Sequence, residues 1–364
     1  MSTLNQLDTP FVAVDLDVVE NNLLTMQKKA DSACLKLRPH TKTHKQPWLA
    51  HRQHELGAIS ITVAKLDEAE VMLNAGLADI FIAYPLVGDS RAHRLAALMV
   101  RGLIPTVSID SHISMKTLAQ AAALAQKPVR VLVEVDTGFH RCGLAGSGVT
   151  DLASAIAKEP GLELAGLMSF AGHIAGNTNQ DRIAAIIAED DEILGRHKDD
   201  LLKVGLEIDT VSVGGTILSH NLDYLKYATE IRPGIYVFND MGIVRSGAAT
   251  VDDCAARIWA TVVSRPGPER AVLDAGSKML STDGPLDGSY GYVVGHPGWK
   301  IARISEEHAV VEFQDGSGAP DIGQRVQIIP NHVCTVINLQ NSVVGVCGGQ
   351  VRATLPIMAR GGTH

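Results

Sequence analysis

Short apolar runs alternate with longer helical patterns over most of the chain, and this alternation is the feature that most limits its fold. The apolar runs lie at 35–42, 59–64, 79–85, 104–110, 129–137, 162–170, 208–214 and 230–238. Helical patterns lie between many of them, at 65–75, 91–101, 112–126, 150–158 and 180–203. Near-continuous Val/Ile/Leu runs are typical of parallel strands that are covered on both faces. Eight such units predict an α/β fold, a (β/α)8 TIM-type barrel, with an open doubly wound sheet as the alternative.

The pattern changes after about residue 245. Short strand-like segments such as 258–263, 309–313, 325–329 and 342–346 follow, separated by Gly and Pro and without long helical patterns. We therefore expect a barrel domain over 10–245. A mostly β domain is expected over 246–364, together with the first residues of the chain.

Charge and cysteine content exclude several classes of protein. The net charge of −8 over 364 residues argues against nucleic acid or a membrane surface as the partner. The five cysteines are scattered and contain no CxxC pair, which is typical of reduced thiols. We see no signal peptide and no apolar run long enough to span a membrane. The expectation is a cytoplasmic protein.

The stretch from Leu37 to Lys45 ends the first predicted barrel strand with five basic side chains. Strand alternation would place Arg38, His40 and Lys42 on one face. Neighbouring positive charges favour the neutral amine of Lys42, and a neutral amine attacks carbonyls to form a Schiff base. The alternative is a basic strand end with solvated side chains. His40 and His44 also have the spacing of a metal pair on a helix, which a strand end disfavours.

Polar residues follow other predicted strands at equivalent positions, where a barrel collects its chemistry. They are Arg141, His173, the loop Gly214-Gly215-Thr216, and Tyr236. Glycines let backbone N–H groups approach an anion, and a guanidinium can hold an anionic oxygen. The alternatives are a tight turn for the glycines and, for Arg141, an ion pair with Asp136 or Glu134.

His332 and Cys334 are two residues apart after the strand-like segment 325–329. On an extended segment they would point the same way, and imidazole with thiolate is a zinc-like ligand pair. Two protein ligands leave coordination positions open, as catalytic sites do. The alternative is a buried cysteine beside a loop histidine. The Gly-rich segment 274–284 either lines the site or forms a hairpin connection.

Taken together, these motifs resemble the D-threonine aldolase / D-serine dehydratase-like family of fold-type III, alanine-racemase-like pyridoxal-phosphate enzymes. The resemblance runs from Thr9-Pro10 to the last strands, and its most specific pieces are the segments 38–45 and 330–334. It implies a homodimer with an N-terminal barrel and a C-terminal β domain.

The resemblance also implies roles for individual residues. Lys42 would carry pyridoxal 5'-phosphate (PLP), Arg141 would contact its phenolic oxygen, and His332 with Cys334 would hold a divalent metal. Gly214, Gly215, Thr216 and Tyr236 would contact the cofactor phosphate or ring. Cys334 departs from aldolases that have Asp there, and a thiolate favours Zn²⁺ over Mn²⁺ or Mg²⁺. Phe170 departs from relatives that carry Tyr.

The resemblance implies a PLP- and metal-dependent lyase that acts on D-β-hydroxy-α-amino acids. We favour dehydration of D-serine-type substrates because of Cys334, with retro-aldol cleavage to glycine and an aldehyde as the alternative. Lys42 is the expected base for the α-proton in dehydration, and His44 or His173 is the expected base for the hydroxyl proton in retro-aldol cleavage. An amino-acid racemase, a PLP-binding protein without turnover and a zinc-binding structural protein are the further alternatives.

Overall fold

The computed structural model describes residues 4–284, 286–313 and 318–364. The chain divides into two compact units. The barrel unit comprises Thr25–Lys42, Gln46–Gly234 and Gly362–His364, and the β unit comprises Met1–Leu24, Thr43–Lys45 and Ile235–Gly361. The chain therefore passes from one unit to the other directly after Lys42.

The barrel unit contains a parallel sheet whose eight strands match the eight predicted apolar runs. In spatial order they are Lys36–Leu37, Glu230–Arg232, Thr210–Gly214, Leu162–Met168, Val129–Glu134, Ile104–Ile109, Asp79–Ile82 and Ile61–Val63. Within this unit, Phe81, Leu132 and Met168 pack together and are buried. The strands are apolar because they are covered on both faces, as their sequences predict.

Backbone hydrogen bonds also join the two strands at the ends of this order. The N–H of Thr41 donates to the carbonyl of Thr62 at 2.8 Å, and the N–H of Thr62 donates to the carbonyl of Pro39 at 2.8 Å. His40 and Thr62 form a parallel bridge. The sheet is thus closed on itself, so the predicted (β/α)8 barrel is confirmed and the open doubly wound sheet is wrong.

The first barrel strand is shorter than predicted. It spans Lys36–Leu37, and residues 41–44 form turns. Arg38 and Lys42 are therefore not on one face of a strand, which corrects that expectation. The turns also exclude the helical geometry that a His40–His44 metal pair would need.

Helices follow most of the barrel strands. They span Pro47–Glu55, Leu66–Asn74, Asp89–Val100, His112–Ala125, Ser147–Ile156, Gln180–Lys203 and Thr216–Ser219. The sequence analysis missed Pro47–Glu55, because it buries only Leu49, Ala50 and Gln53 and has a weak apolar periodicity. Proline at its start is typical of a helix N-terminus.

The β unit contains a nine-stranded sheet. Seven strands follow one another in the spatial order Trp299–Ile304, Ala309–Phe313, Arg270–Leu273, Ala256–Gly267, Phe11–Asp15, Ser342–Cys347 and Gln350–Pro356. Arg325–Ile329 pairs with both Ala256–Gly267 and Tyr292–Val293. The N-terminal strand Phe11–Asp15 lies inside this sheet, antiparallel to one neighbour and parallel to the other.

The described residues of the β unit also form three short α-helices. They span Met241–Arg245, Ser277–Leu280 and Val333–Leu339. A longer helix, Leu16–Ser32, begins in the β unit and ends in the barrel unit. Among the helices that the structure describes, none is long and apolar enough to cross a membrane.

Candidate active site

The ring of Phe170 lies among several barrel residues that were predicted to bind the cofactor. It follows the strand Leu162–Met168 at its C-terminal end. The Nζ atom of Lys42 is 5.7 Å from the ring centre, and the guanidinium carbon of Arg141 is 4.9 Å from it. The structure therefore brings together side chains that are far apart in the sequence, at the end of the barrel where catalytic residues gather.

The glycine loop after the strand Thr210–Gly214 packs against the same ring. A Cβ atom added at Gly214 would lie 3.2 Å from Phe170 Cδ2 and 3.0 Å from Arg232 Nη2. Gly215 has a φ of +114°, which disfavours other residues, and its added Cβ would lie 3.8 Å from Phe170 Cε2. A side chain is thus disfavoured by close contacts at Gly214 and by backbone conformation at Gly215, and Thr216 is buried directly after them.

Arg232, to which the sequence analysis assigned no role, borders this cluster. Its side chain is buried, with Nη2 donating to the carbonyl of Ser169 at 2.6 Å and Nη1 donating to the hydroxyl of Ser212. Burial lowers the pKa of Arg232 to about 10, opposed by the charge of Glu230. The signal was present, since Arg232 ends the last barrel strand.

The loop that carries Arg141 is held by Asp136. The Asp136 carboxylate accepts hydrogen bonds from the N–H groups of Gly138 and His140 and from the His140 imidazole at 2.8 Å. The guanidinium of Arg141 lies against the rings of Phe139 and Phe170 instead, at 5.1 and 4.9 Å. Asp136 thus organises the loop through its own backbone and a histidine.

His173 lies beside the same loop. A Cβ atom added at Gly138 would be 3.6 Å from the His173 ring. The Nδ1 atom of His173 is buried and has no hydrogen-bond partner among the residues the structure describes, and burial lowers the pKa of His173. A neutral imidazole with an unused nitrogen is able to accept a proton from a bound molecule.

A buried carboxylate supports the ends of two barrel strands. Asp190, on the helix Gln180–Lys203, accepts hydrogen bonds from the hydroxyl of Ser169 at 2.9 Å and from that of Thr137. Burial raises the pKa of Asp190 to about 6. Asp190 therefore links the segment before Arg141 to the segment before Phe170.

In the β unit, His332 and Cys334 lie at the start of the helix Val333–Leu339. The expected extended segment is wrong, yet the two side chains are hydrogen-bonded to each other. This bond, the largest cause, raises the pKa of His332 to about 9. The hydroxyl of Thr43 lies 3.2 Å from the Sγ atom of Cys334.

Two carboxylates surround this pair. Asp283 Oδ2 is 2.5 Å from His332 Nδ1, and Asp240 accepts a hydrogen bond from the N–H of Val333 at 3.0 Å. Burial raises the pKa of Asp240 to about 6. Sequence reasoning placed Asp283 only within a Gly-rich loop and missed Asp240, which lies far from the motif in the chain.

The remaining predicted residues are also in the β unit. His44 is fully buried, and Tyr236 is buried within the short 3-10 helix Ile235–Val237. Asp274 is tied within this unit, because it accepts hydrogen bonds from the hydroxyl of Thr9 at 2.5 Å and from the N–H of Thr261 at 2.7 Å. These contacts favour a structural role for Asp274 over a role in lining the site.

Across the parts of the chain that the structure describes, no group of three or more His, Cys, Asp or Glu side chains is arranged to hold a metal ion. The assignment of His332 and Cys334 as metal ligands stays a prediction. A site with two protein ligands leaves coordination positions open for water or substrate, and it does not form a closed structural zinc site.

Comparison with known proteins places the chain in a family. Residues 14–241 match the model of the alanine racemase N-terminal domain, and residues 255–346 match that of the serine dehydratase domain. D-threonine aldolase from an Arthrobacter species is 33% identical over 98% of this chain and 94% of its own length. The chain belongs to the D-threonine aldolase / D-serine dehydratase-like family. The family resemblance inferred from the sequence is thereby confirmed.

The names of other relatives describe two different reactions, dehydration and aldol cleavage. D-threo-3-hydroxyaspartate dehydratase from Delftia is 31% identical over 91% of this chain and 92% of its own length. The structure of D-threonine aldolase from Filomicrobium marinum covers 99% of this chain and 98% of its own, at 35% identity and a TM-score of 0.91. A cysteine-to-alanine variant of D-threo-3-hydroxyaspartate dehydratase, in its metal-free form, covers 98% of this chain and 99% of its own, at 29% identity and a TM-score of 0.90.

Proposed function

We propose that this protein removes water from D-β-hydroxy-α-amino acids of the D-serine type, using PLP and a divalent metal ion. The protein is a lyase of the D-hydroxy amino acid class, in line with its family. The observation that carries the proposal is the cluster around Phe170, because it unites Lys42, Arg141 and the glycine loop at one end of the barrel.

The residues of the barrel unit fit PLP. Lys42 would hold the aldehyde carbon of the cofactor as a Schiff base. Gly214, Gly215 and Thr216 would receive its phosphate, and this fits a loop where added Cβ atoms would meet Phe170 and Arg232. Arg141 would hold an anionic oxygen of the cofactor, and the ring of Phe170 would contact it without offering a hydroxyl. Tyr236 lies in the β unit, and its predicted cofactor contact rests on the family resemblance alone.

The residues of the β unit fit a divalent metal. His332 and Cys334 would be its ligands, and an imidazole with a thiolate is a donor set that suits Zn²⁺ better than Mg²⁺ or Mn²⁺. The metal-free form of the cysteine variant of D-threo-3-hydroxyaspartate dehydratase supports a cysteine ligand in this family. Thr43, the residue after Lys42, touches Cys334 through its hydroxyl and would donate to a thiolate.

When bound, PLP supplies an electron sink for the bonds at Cα, and the metal supplies a Lewis acid for the β-hydroxyl. The residues of the chain supply binding and proton transfer. Lys42 Nζ would accept the α-proton of the substrate. His173 is the better second base of the two predicted histidines, because its Nδ1 is unpaired within the described residues and its pKa is lowered, whereas His44 is fully buried.

Two reactions remain open for these residues. Dehydration removes the α-proton, breaks the Cβ–O bond and releases one water. Hydrolysis of the resulting enamine consumes one water, so the net products are a keto acid and ammonia. Retro-aldol cleavage breaks the Cα–Cβ bond after a base takes the hydroxyl proton, and it yields glycine and an aldehyde. Cys334 favours dehydration, because a zinc-type Lewis acid makes hydroxide a better leaving group. A racemase needs no metal, and the His332–Cys334 pair argues against it.

The test is a product assay on the PLP-loaded protein. D-serine, D-threonine and D-3-hydroxyaspartate are each incubated with Zn²⁺ or Mn²⁺, and ammonia, glycine and aldehyde are measured separately. L-serine serves as the stereochemical control. We expect metal-dependent ammonia release from D-serine.

Other outcomes decide against this proposal. Glycine with aldehyde as the main products would assign the aldolase reaction. Interconversion of D- and L-serine without ammonia would assign a racemase. Full ammonia release after exhaustive chelation would remove the metal from the reaction.

A further inference from the structure

The carboxylate of Asp283 contacts the predicted metal ligand His332 on its Nδ1 atom. Asp283 Oδ2 lies 2.5 Å from that nitrogen. The two side chains are similarly exposed, at 40% and 41%. Because a carboxylate only accepts hydrogen bonds when ionised, this contact places the imidazole proton on Nδ1.

The loop that carries Asp283 is fastened to the segment that carries His332. Asn331 donates through Nδ2 to the carbonyls of Gly284 at 3.1 Å and Ser289 at 2.8 Å. The hydroxyl of Thr335 lies 3.1 Å from Asp283 Oδ2. The residues on either side of His332 therefore hold this loop in place, and the Asp283–His332 contact is not an isolated surface pair.

The backbone at His332 is fixed separately from its ring. Asp240 accepts the N–H of Val333, and the N–H groups of Met241 and Gly242 donate to the carbonyls of Pro330 and Asn331. These contacts set the position of the His332 backbone and do not reach its ring. The ring is held on Nδ1 by Asp283, in addition to its hydrogen bond with Cys334.

An imidazole whose Nδ1–H is held by a carboxylate presents the lone pair of Nε2. Metal-binding histidines commonly have such a partner, which fixes the tautomer and makes the nitrogen a stronger donor. Asp283 also adds a negative charge beside the site. Asp283 Oδ2 is engaged by the His332 imidazole and by the Thr335 hydroxyl, which favours an action through His332 over direct ligation.

We propose that Asp283 is the positioning residue of the metal site, holding His332 so that Nε2 faces the metal. The proposal rests on the proposed function only in taking His332 as a metal ligand. It predicts that Asp283 contributes to metal affinity and leaves the ligand set unchanged.

The test measures Zn²⁺ affinity in the PLP-loaded full chain after removal of metal. Zn²⁺ is titrated against a chromophoric chelator for the wild type and for D283N, D283A, D283E and H332A. The matched control is D287N. Asp287 lies close by in the chain, is 84% exposed and pairs with Arg245.

We expect D283N and D283A to weaken Zn²⁺ binding by about 10- to 100-fold, with D283E recovering part of the loss and D287N unchanged. The thiolate-to-metal charge-transfer band of the Co²⁺-loaded protein should persist in D283N, because Cys334 and His332 still bind. H332A should lose the site.

Two results would overturn the role of Asp283. Unchanged Zn²⁺ affinity in D283A would show that His332 needs no restraint. A D283N protein that loses the Co²⁺ band as H332A does would make Asp283 a ligand itself. Wild-type affinity in H332A would instead reject His332 as a ligand, so this failure of the proposed function is distinguishable.

Discussion

The guanidinium carbon of Arg141 lies 4.9 Å from the centre of the Phe170 ring. The ring of Phe139 is 5.1 Å from the same carbon and meets Phe170 edge to face, with ring centres 5.6 Å apart. A cation held against ring faces keeps its in-plane N–H groups available for an anion. This arrangement fits the proposed contact of Arg141 with an anionic oxygen of the cofactor.

Replacement of Lys42 tests the proposed attachment of PLP. We expect Lys42→Ala to remove the visible absorbance of a lysine-bound pyridoxal Schiff base and to lower lyase activity by at least ~10²-fold, because it removes both the anchor and the base. Absorption spectra and ammonia release measure this. Lys36→Ala, at an exposed position of the adjacent strand, is the control. An unchanged spectrum in Lys42→Ala would assign the cofactor to another lysine.

Gly172→Ala tests the packing around Phe170. An added Cβ atom would lie 2.6 Å from Phe139 Cε1 and 2.7 Å from Phe170 Cε1. We expect a loss of about 1–3 kcal/mol in the free energy of unfolding and weaker PLP binding, because both rings must move. Urea unfolding and PLP titration measure these effects. Gly267→Ala, where the added atom meets nothing within 4 Å, should change neither. Wild-type PLP affinity in Gly172→Ala would show that the two rings do not contribute to cofactor binding.

Asp190 predicts a pH dependence of stability. Its pKa is raised to about 6 in the folded protein from 3.8, so the folded state keeps a proton that the unfolded state releases. The contribution of Asp190 to the free energy of unfolding is fully present below about pH 4. It falls by about 3 kcal/mol as the pH rises through 6.

The comparison with Asp190→Asn isolates this contribution. We expect the wild type to lose stability relative to this variant between pH 4 and 6, measured by urea unfolding across that range. Asp199→Asn, exposed on the same helix, should follow the wild type. Parallel curves for the wild type and Asp190→Asn would show that Asp190 does not take up this proton.

Cys334→Asp tests the choice of metal. Because a carboxylate is a harder ligand than a thiolate, we expect the preference for Zn²⁺ over Mn²⁺ to decrease. Competition between the two metals, followed by metal analysis of the dialysed protein, measures the ratio. Cys34→Asp, at an exposed cysteine, should leave the ratio unchanged. An unchanged ratio in Cys334→Asp would place the metal elsewhere.

The barrel was predictable because buried parallel strands have continuous apolar sequences, as in Val129–Glu134. The ends of the strands were harder to predict. Lys36–Leu37 is followed closely by turns, although the residues after Leu37 still alternate as they would in a strand. The helix Pro47–Glu55 was missed because His and Arg cover most of its surface. The helix after His332 was missed because its seven residues give too short a pattern.

The site was predictable where chemistry and strand ends coincide, as for Arg141 and the glycine loop. Asp283 was not predictable, because its importance depends on a contact with His332, which is distant in the sequence. A carboxylate in a Gly-rich loop has many possible partners, and the sequence does not say which it meets. Phe170 was noted only as a departure from relatives, yet it contacts most of the predicted barrel residues.

The barrel closes around the segment that leads to Lys42. The position of this lysine therefore depends on residues from both ends of the barrel sequence. Lys36–Leu37 pairs with Glu230–Arg232, and residues just before Lys42 pair with Thr62. During synthesis, a chain that has reached only Thr210–Gly214 still lacks the first of these neighbours. The surroundings of the Lys42 amine are thus complete only when translation has passed Arg232. If PLP attaches to Lys42 as proposed, a nascent chain would bind it only after the barrel has closed.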